Sequence, residues 1–351
     1  MCIFYINAID IIRTLITKTM RKIILILFIS IIPIAIYAQT FDELMSSAQN
    51  EMDLWNSDKA IDFLNKAEAL NSENAQLYFL RGMAKSDKVD KEEAIVDFDR
   101  AIELNPDGSL SYYERGRLRA YTYDYQGAVD DYTKFLEFVP GDIYAIVQRA
   151  ESLYQIEDYK GAIADYSEAI EMKPEDYDIS ELYYFRAFVY SDMKDYDAAI
   201  SDFTVVMGLN PDSNRALGRR ATVKVEAGDY EGALEDCELM LADNNKNLQA
   251  IFIRGMVQYN LKKYEEAITD FDSVVEMYPL WEGYFYRGKA KLAKKKYKEA
   301  LADFDKTIEL EPENSDAYLE RATVKKKLKD KKGAENDLAK AEELLAAKAM
   351  K

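Results

Sequence analysis

Arginine and aspartate recur in this sequence at matched intervals. Arg81, Arg115, Arg149, Arg186, Arg220, Arg254, Arg287 and Arg321 are followed, sixteen residues on, by Asp97, Asp131, Asp165, Asp202, Asp236, Asp270, Asp303 and Asp337. Two chemistries could use such a series. A row of free guanidinium groups would make an anion track. A guanidinium facing a carboxylate on a neighbouring helix would make a structural ion pair, the partner that a half-buried charge normally needs. Ser47 and Phe63 stand in the equivalent places nearer the N-terminus, so both charges are missing there together. Joint presence and joint absence favour the ion pair.

Other chemistry has little to work with. The 351 residues include no histidine, which removes the commonest general base and the commonest zinc ligand. Cys2 and Cys237 cannot form a four-thiolate zinc site or a disulfide framework. Cys237 reads as a core thiol, with no basic neighbour in sequence to activate it. No phosphate loop, calcium loop or nucleophile elbow is present. The nearest distinctive carboxylate pair is Asp130–Asp131, and Asp131 already belongs to the arginine series. A net charge of −18 argues against a nucleic-acid partner, since phosphates call for a basic surface. The expectation is a non-enzymatic protein with no metal and no cofactor.

Residues 1–38 read as an over-called start and a cleaved signal peptide. Met20-Arg21-Lys22 precedes an apolar run from Ile23 to Tyr37, too short for the ~20 residues of a membrane-spanning helix. Cleavage is expected after Ala38, which predicts an exported, periplasmic or secreted chain with no integral membrane segment after processing. The processed chain would carry −21 and a single thiol.

The elements that must position the paired charges follow a clock. Pro106, Pro140, Pro174 and Pro211 fall 34, 34 and 37 residues apart, and Pro279 and Pro312 continue the rhythm. Between prolines, Tyr78/Gly82/Lys85 and Ala94/Phe98/Ala101 keep helical spacing on two successive segments. Tyr112/Gly116/Ala128/Tyr132/Pro140, Tyr183/Ala187/Ala199/Phe203/Pro211 and Tyr284/Gly288/Ala300/Phe304/Pro312 repeat the pattern. A proline at these places stops the second helix because it lacks an N–H and clashes with the preceding turn; the first unit has Ser72 there and the sixth ends Asp243-Asn244-Asn245 without one. These residues closely resemble the tetratricopeptide repeat family, whose period is 34 residues.

The resemblance implies an all-α fold, a right-handed α-solenoid of stacked helix-turn-helix units. Residues 39–351 read as a single solenoid. Nine units are expected: 41–74, 75–108, 109–142, 143–176, 180–213, 214–247, 248–280, 281–314 and 315–348. Tyr177–Ile179 is an insertion, and Gly218 weakens a first helix, so the fifth and sixth units are the expected place for a flexible joint.

The family resemblance also implies a concave groove lined by first helices, holding a protein or peptide partner. The partner-binding residues expected there are Phe79, Tyr113, Tyr144, Tyr184, Phe188, Phe252, Met256 and Phe285. Aromatic and methionine side chains suit peptide recognition, and they also suit packing between helices. Charge is uneven: residues 281–351 carry +4 and residues 39–280 carry −25. Lys295, Lys296, Lys298, Lys327, Lys329, Lys331 and Lys332 form a basic edge near the turns of the last two units. The leading expectation is a protein–protein interaction scaffold of a bacterial cell envelope. The alternative is binding of envelope glycan or lipid, or salt-sensitive self-association, through the basic edge.

Overall fold

The computed structural model describes residues 39–88, 91–175, 177–211 and 213–349. The signal peptide and cleavage site expected over residues 1–38 lie outside them. Among the described residues every regular element is an α-helix, and no helix is long and apolar enough to cross a membrane. The chain divides into two compact units after Gln148.

The first unit contains α1 (Phe41–Asp53), α2 (Ser57–Glu68), α3 (Ala75–Ser86), α4 (Lys91–Leu104), α5 (Ser109–Tyr121) and α6 (Tyr125–Phe138). The division falls within α7 (Ile143–Gln155). The second unit continues with α8 (Tyr159–Glu171), α9 (Ile179–Asp192), α10 (Tyr196–Leu209), α11 (Asn214–Ala227) and α12 (Tyr230–Asp243). It ends with α13 (Leu248–Asn260), α14 (Tyr264–Met277), α15 (Trp281–Ala293), α16 (Tyr297–Leu310), α17 (Ser315–Lys327) and α18 (Lys331–Ala349).

Six second helices close just before a proline, as α4 does at Leu104 before Pro106 and α16 at Leu310 before Pro312, whereas α2 and α12 close without one. Among the described residues, every first helix except α3 ends in a left-handed residue, followed by the cap of the second. Asp124, Asp158, Asp195, Asp229 and Asp330 accept a hydrogen bond from the backbone N–H three residues on. The left-handed residue is glycine at Gly228, but Trp55, Tyr123, Glu157, Lys194, Lys262, Lys295 and Lys329 hold the same turn elsewhere. A side chain there crowds the following carbonyl and costs roughly 1–2 kcal/mol. Lys262→Gly should therefore stabilise the protein by about 1 kcal/mol, after allowing for the extra freedom glycine has when unfolded. A urea midpoint that stays put or falls would contradict this.

The core is a succession of rings seated on small residues. Phe98, Tyr132, Phe203, Phe271 and Phe304 are fully buried. Phe271 lies so close to α13 that a Cβ added at Gly255 would sit 2.9 Å from its Cε1. Glycine is what lets the two helices approach there.

Within the stretch expected to hold a joint, α9, α10 and α11 share an apolar cluster. Tyr184, Ala187, Phe203 and Val206 from α9 and α10 pack with Ala216 and Val223 from α11. The space beside Gly218 is taken by the Gln249 side chain, whose amide a Cβ at that glycine would meet at 2.6 Å.

Candidate functional site

The arginine series resolves into a ladder of ion pairs. In the second unit Arg186 Nε and Nη2 donate to the two oxygens of Asp202 at 2.8 and 2.9 Å. Arg220–Asp236, Arg254–Asp270 and Arg321–Asp337 repeat the fork, with each Asp on the second helix of its pair. In the first unit Arg81–Asp97 and Arg115–Asp131 do the same. The Asp side chains are 2–8% exposed, so the carboxylates are committed to protein partners. The guanidinium groups are turned inward onto them, which leaves no anion track.

Two further kinds of anchor lie outside the Arg–Asp series. Arg115 also donates to Asp99, Arg220 to Thr204, Arg287 to Asp272 and Arg321 to Asp305, each on the preceding second helix. One arginine thus ties three helices. A second cation, one turn after the arginine, reaches the same Asp: Lys85, Arg119, Lys224, Lys291 and Lys325 do so at 2.8–3.0 Å. Leu153, Tyr190 and Gln258 occupy that place in the other pairs.

Asp337 shows the electrostatic outcome. Burial raises its pKa, but the hydrogen bonds from Arg321 and Lys325 outweigh burial and hold the carboxyl below its ordinary range. Its stabilising contribution is complete above the unfolded value of about 3.9 and is lost as pH falls through the lower folded value. Asp337→Asn should remove this part of the acid dependence. Wild-type and variant stability profiles that run parallel below pH 5 would show the carboxylate to be inert.

Cys237 is fully buried on α12, and burial pushes its thiol up to about 12. A thiol with so little thiolate is a poor nucleophile. Alkylation by iodoacetamide should therefore follow the unfolding transition; fast labelling of the folded chain would place the sulfur at the surface.

The first-helix faces carry the residues expected to bind a partner. Tyr184 and Phe285 are corrected to core residues: they are 6% and 8% exposed and pack edge-on against Phe203 and Phe304. Phe79, Tyr113, Phe188, Phe252 and Met256 are half-buried, and Tyr144 is 52% exposed. Phe79 and Tyr113 rest edge-on against Phe98 and Tyr132 in the first unit.

In the second unit, rings from successive first helices meet. Tyr154 lies edge-on to Phe188 at 6.3 Å, and Phe252 to Tyr286 at 5.4 Å. Tyr154 Oη donates to Asp192 at 2.5 Å, and burial together with that acceptor pushes its pKa up to about 12. Cations lie over these rings. Arg219 sits 4.8 Å from the Phe188 centroid, and Lys289 lies 5.3–5.5 Å from Tyr259, Phe285 and Tyr286. Arg215 stacks 3.6 Å over Tyr184 and pairs with Glu181 at 3.3 Å. Arg219, Lys289 and Tyr286 were not singled out from the sequence as binding residues. For Lys289 the signal available was its place one turn after Phe285 on the same helix face; Arg219 and Tyr286 directly follow Gly218 and Phe285, where spacing gave no such signal.

Residues 75–107, 143–176, 180–213, 249–280 and 281–314 each match the tetratricopeptide repeat family. The chain belongs to that family. No curated protein matches it closely enough to transfer a function. Among solved structures, a tetratricopeptide repeat protein from Parabacteroides merdae is 19% identical, with a TM-score of 0.51. The alignment covers 82% of this chain and 99% of that one. MamA is 18% identical over 47% of this chain and 97% of its own, with a TM-score of 0.41. The likeness to the Parabacteroides merdae protein concerns the fold, an α-solenoid of tetratricopeptide repeats.

The basic edge of this tetratricopeptide chain is partly neutralised. Lys296 and its neighbour Lys294 both reach Glu265 at 3.2 Å. Lys295, Lys298, Lys327, Lys329, Lys331 and Lys332 make no ion pair among the described residues, and all six are exposed. No group of three Cys, Asp or Glu side chains among the described residues could hold a metal ion.

Proposed function

We propose that this protein is a non-enzymatic scaffold of the bacterial cell envelope, exported by a cleaved signal peptide, that holds a peptide or protein segment against its first-helix face. Tetratricopeptide repeats support protein–protein interaction as the general role. The observation that carries the finer reading is the strip on the second unit. Half-buried rings there bear cations, Arg219 over Phe188 and Lys289 over Tyr259 and Tyr286, that have no carboxylate within ion-pair distance among the described residues. Such rings and cations offer both faces that a peptide backbone and its acidic or apolar side chains can use.

The test places a photo-crosslinking residue at Phe188, and at Lys160 on α8 as a control, in the protein within its native envelope. A partner peptide identified from position 188 and absent from position 160 supports the reading. Equal crosslinking from both positions, or none from 188, removes it. N-terminal sequencing of the same material checks export, and a chain beginning at Met1 or Met20 would refute cleavage after Ala38.

A second reading rests on the six unpaired lysines of the basic edge. They suit an anionic envelope polymer or lipid, or the −25 stretch of a second copy. Association through them should weaken steeply with salt. Light scattering that reports a monomer at low ionic strength excludes the self-association form.

A further inference from the structure

The second unit holds a cavity of about 230 Å³ between α13 and α15, lined by Leu248, Phe252, Val274, Leu280 and Gly283, with Gln249 and Glu282 as its polar groups. Its wall is apolar apart from those two side chains. Glu282 Oε2 is buried and has no hydrogen-bond partner among the described residues. A buried carboxylate oxygen without a donor is unfavourable, and a cation is the partner that relieves it best.

The repeat supplies its own controls. The matching cavity of the first unit, about 330 Å³, is lined by Gln76 and Phe79 where this one has Gln249 and Phe252. Leu110 stands there in the place of Glu282. The acid is therefore not required to build such a cavity. A second comparison concerns charge. Glu181 occupies the position of Glu282 on α9, and the equivalent residue of the next first helix, Arg215, pairs with it at 3.3 Å. The equivalent residue for Glu282 is Asp316, a second acid. The cations on α15 itself are engaged elsewhere, Arg287 and Lys291 with Asp303 and Lys289 on the rings of Tyr259 and Tyr286.

We propose that this cavity is a subsite for one basic side chain of a bound peptide, its aliphatic stem against Phe252, Val274 and Leu280 and its cation on Glu282. Lysine and arginine combine an apolar stem with a charged end, which matches an apolar wall ending in one carboxylate. The subsite rests on the reading of the first-helix face as a peptide-binding surface, and it specifies what one residue of that peptide must be.

A random peptide library selected on the purified chain tests both levels. The enriched peptides are synthesised and titrated against wild type and E282Q, with coincident thermal melting as the folding control. The expected result is a shared lysine or arginine. Replacing it by norleucine, which keeps the stem and removes the cation, should weaken binding at least tenfold on wild type and less than twofold on E282Q. The norleucine comparison on wild type alone needs no protein variant, so it stands even if E282Q folds poorly. Enriched peptides without a basic residue, or a norleucine penalty equal on both proteins, overturn the subsite and leave the peptide-binding reading in place. A selection that enriches no peptide overturns both.

Discussion

Asp202→Ala is expected to destabilise the protein by about 3–5 kcal/mol, the usual cost of removing one partner of a buried pair. Asp202 is 5% exposed and accepts both prongs of the Arg186 fork. The substitution leaves a guanidinium, itself 16% exposed, with Ser167 Oγ, at 2.9 Å, as its one remaining hydrogen-bonding partner among the described residues. This rung has no reserve. Tyr190 stands where Lys224 and Lys325 supply a second cation to the Asp of their own rungs. Replacing Arg186 and Asp202 together by Leu and Met should recover much of the loss, because the cost lies mainly in the orphaned charge. Urea unfolding followed by circular dichroism provides the measurement. A midpoint unchanged in the single variant would show that the pair contributes nothing.

Phe271→Ala should cost a similar amount, about 3–5 kcal/mol, and should also disturb the partner-binding face. Its ring is fully buried, edge-on to Phe252 at 5.7 Å and stacked on Tyr286 at 5.9 Å. Collapse into the vacated space is limited, since the ring is held between the backbone at Gly255 and those two aromatics. Phe252 and Tyr286 belong to the first-helix face, so they lose their support together. The variant should show both a lower melting temperature and weakened binding of any peptide selected on wild type. Lower stability with unchanged peptide affinity at a temperature where the variant is folded would separate the face from the core beneath it.

The repeat was legible because its cause is local. Prolines, small residues at close approaches and alternating helical stripes recur at about 34 residues, and each acts within its own helix pair. The Arg–Asp rung was legible for the same reason: both charges lie in one pair, at fixed positions, and they are present or absent together. Cys237 was readable as a core thiol because it stands in a slot that other repeats fill with a ring.

What crosses from one pair to the next was not legible. Where an arginine reaches the preceding second helix, its anchor is Asn65, Asp99, Ser167, Thr204, Asp272 or Asp305, and that identity varies too much to form a visible series. Tyr184 and Phe285 were expected on the binding face and proved to be core. A period says that positions are equivalent; it does not say how far a ring sinks between neighbours. Glu282 makes the same point. Its sequence position is shared with Glu181, yet one carboxylate meets Arg215 and the other retains an unpartnered buried oxygen. The sequence by itself determined the unit, its repetition and the charges that hold each unit together, because those are set by contacts short in sequence. Only the tertiary structure decided which side chains remain available to a partner, because availability depends on what the adjacent repeat brings against them.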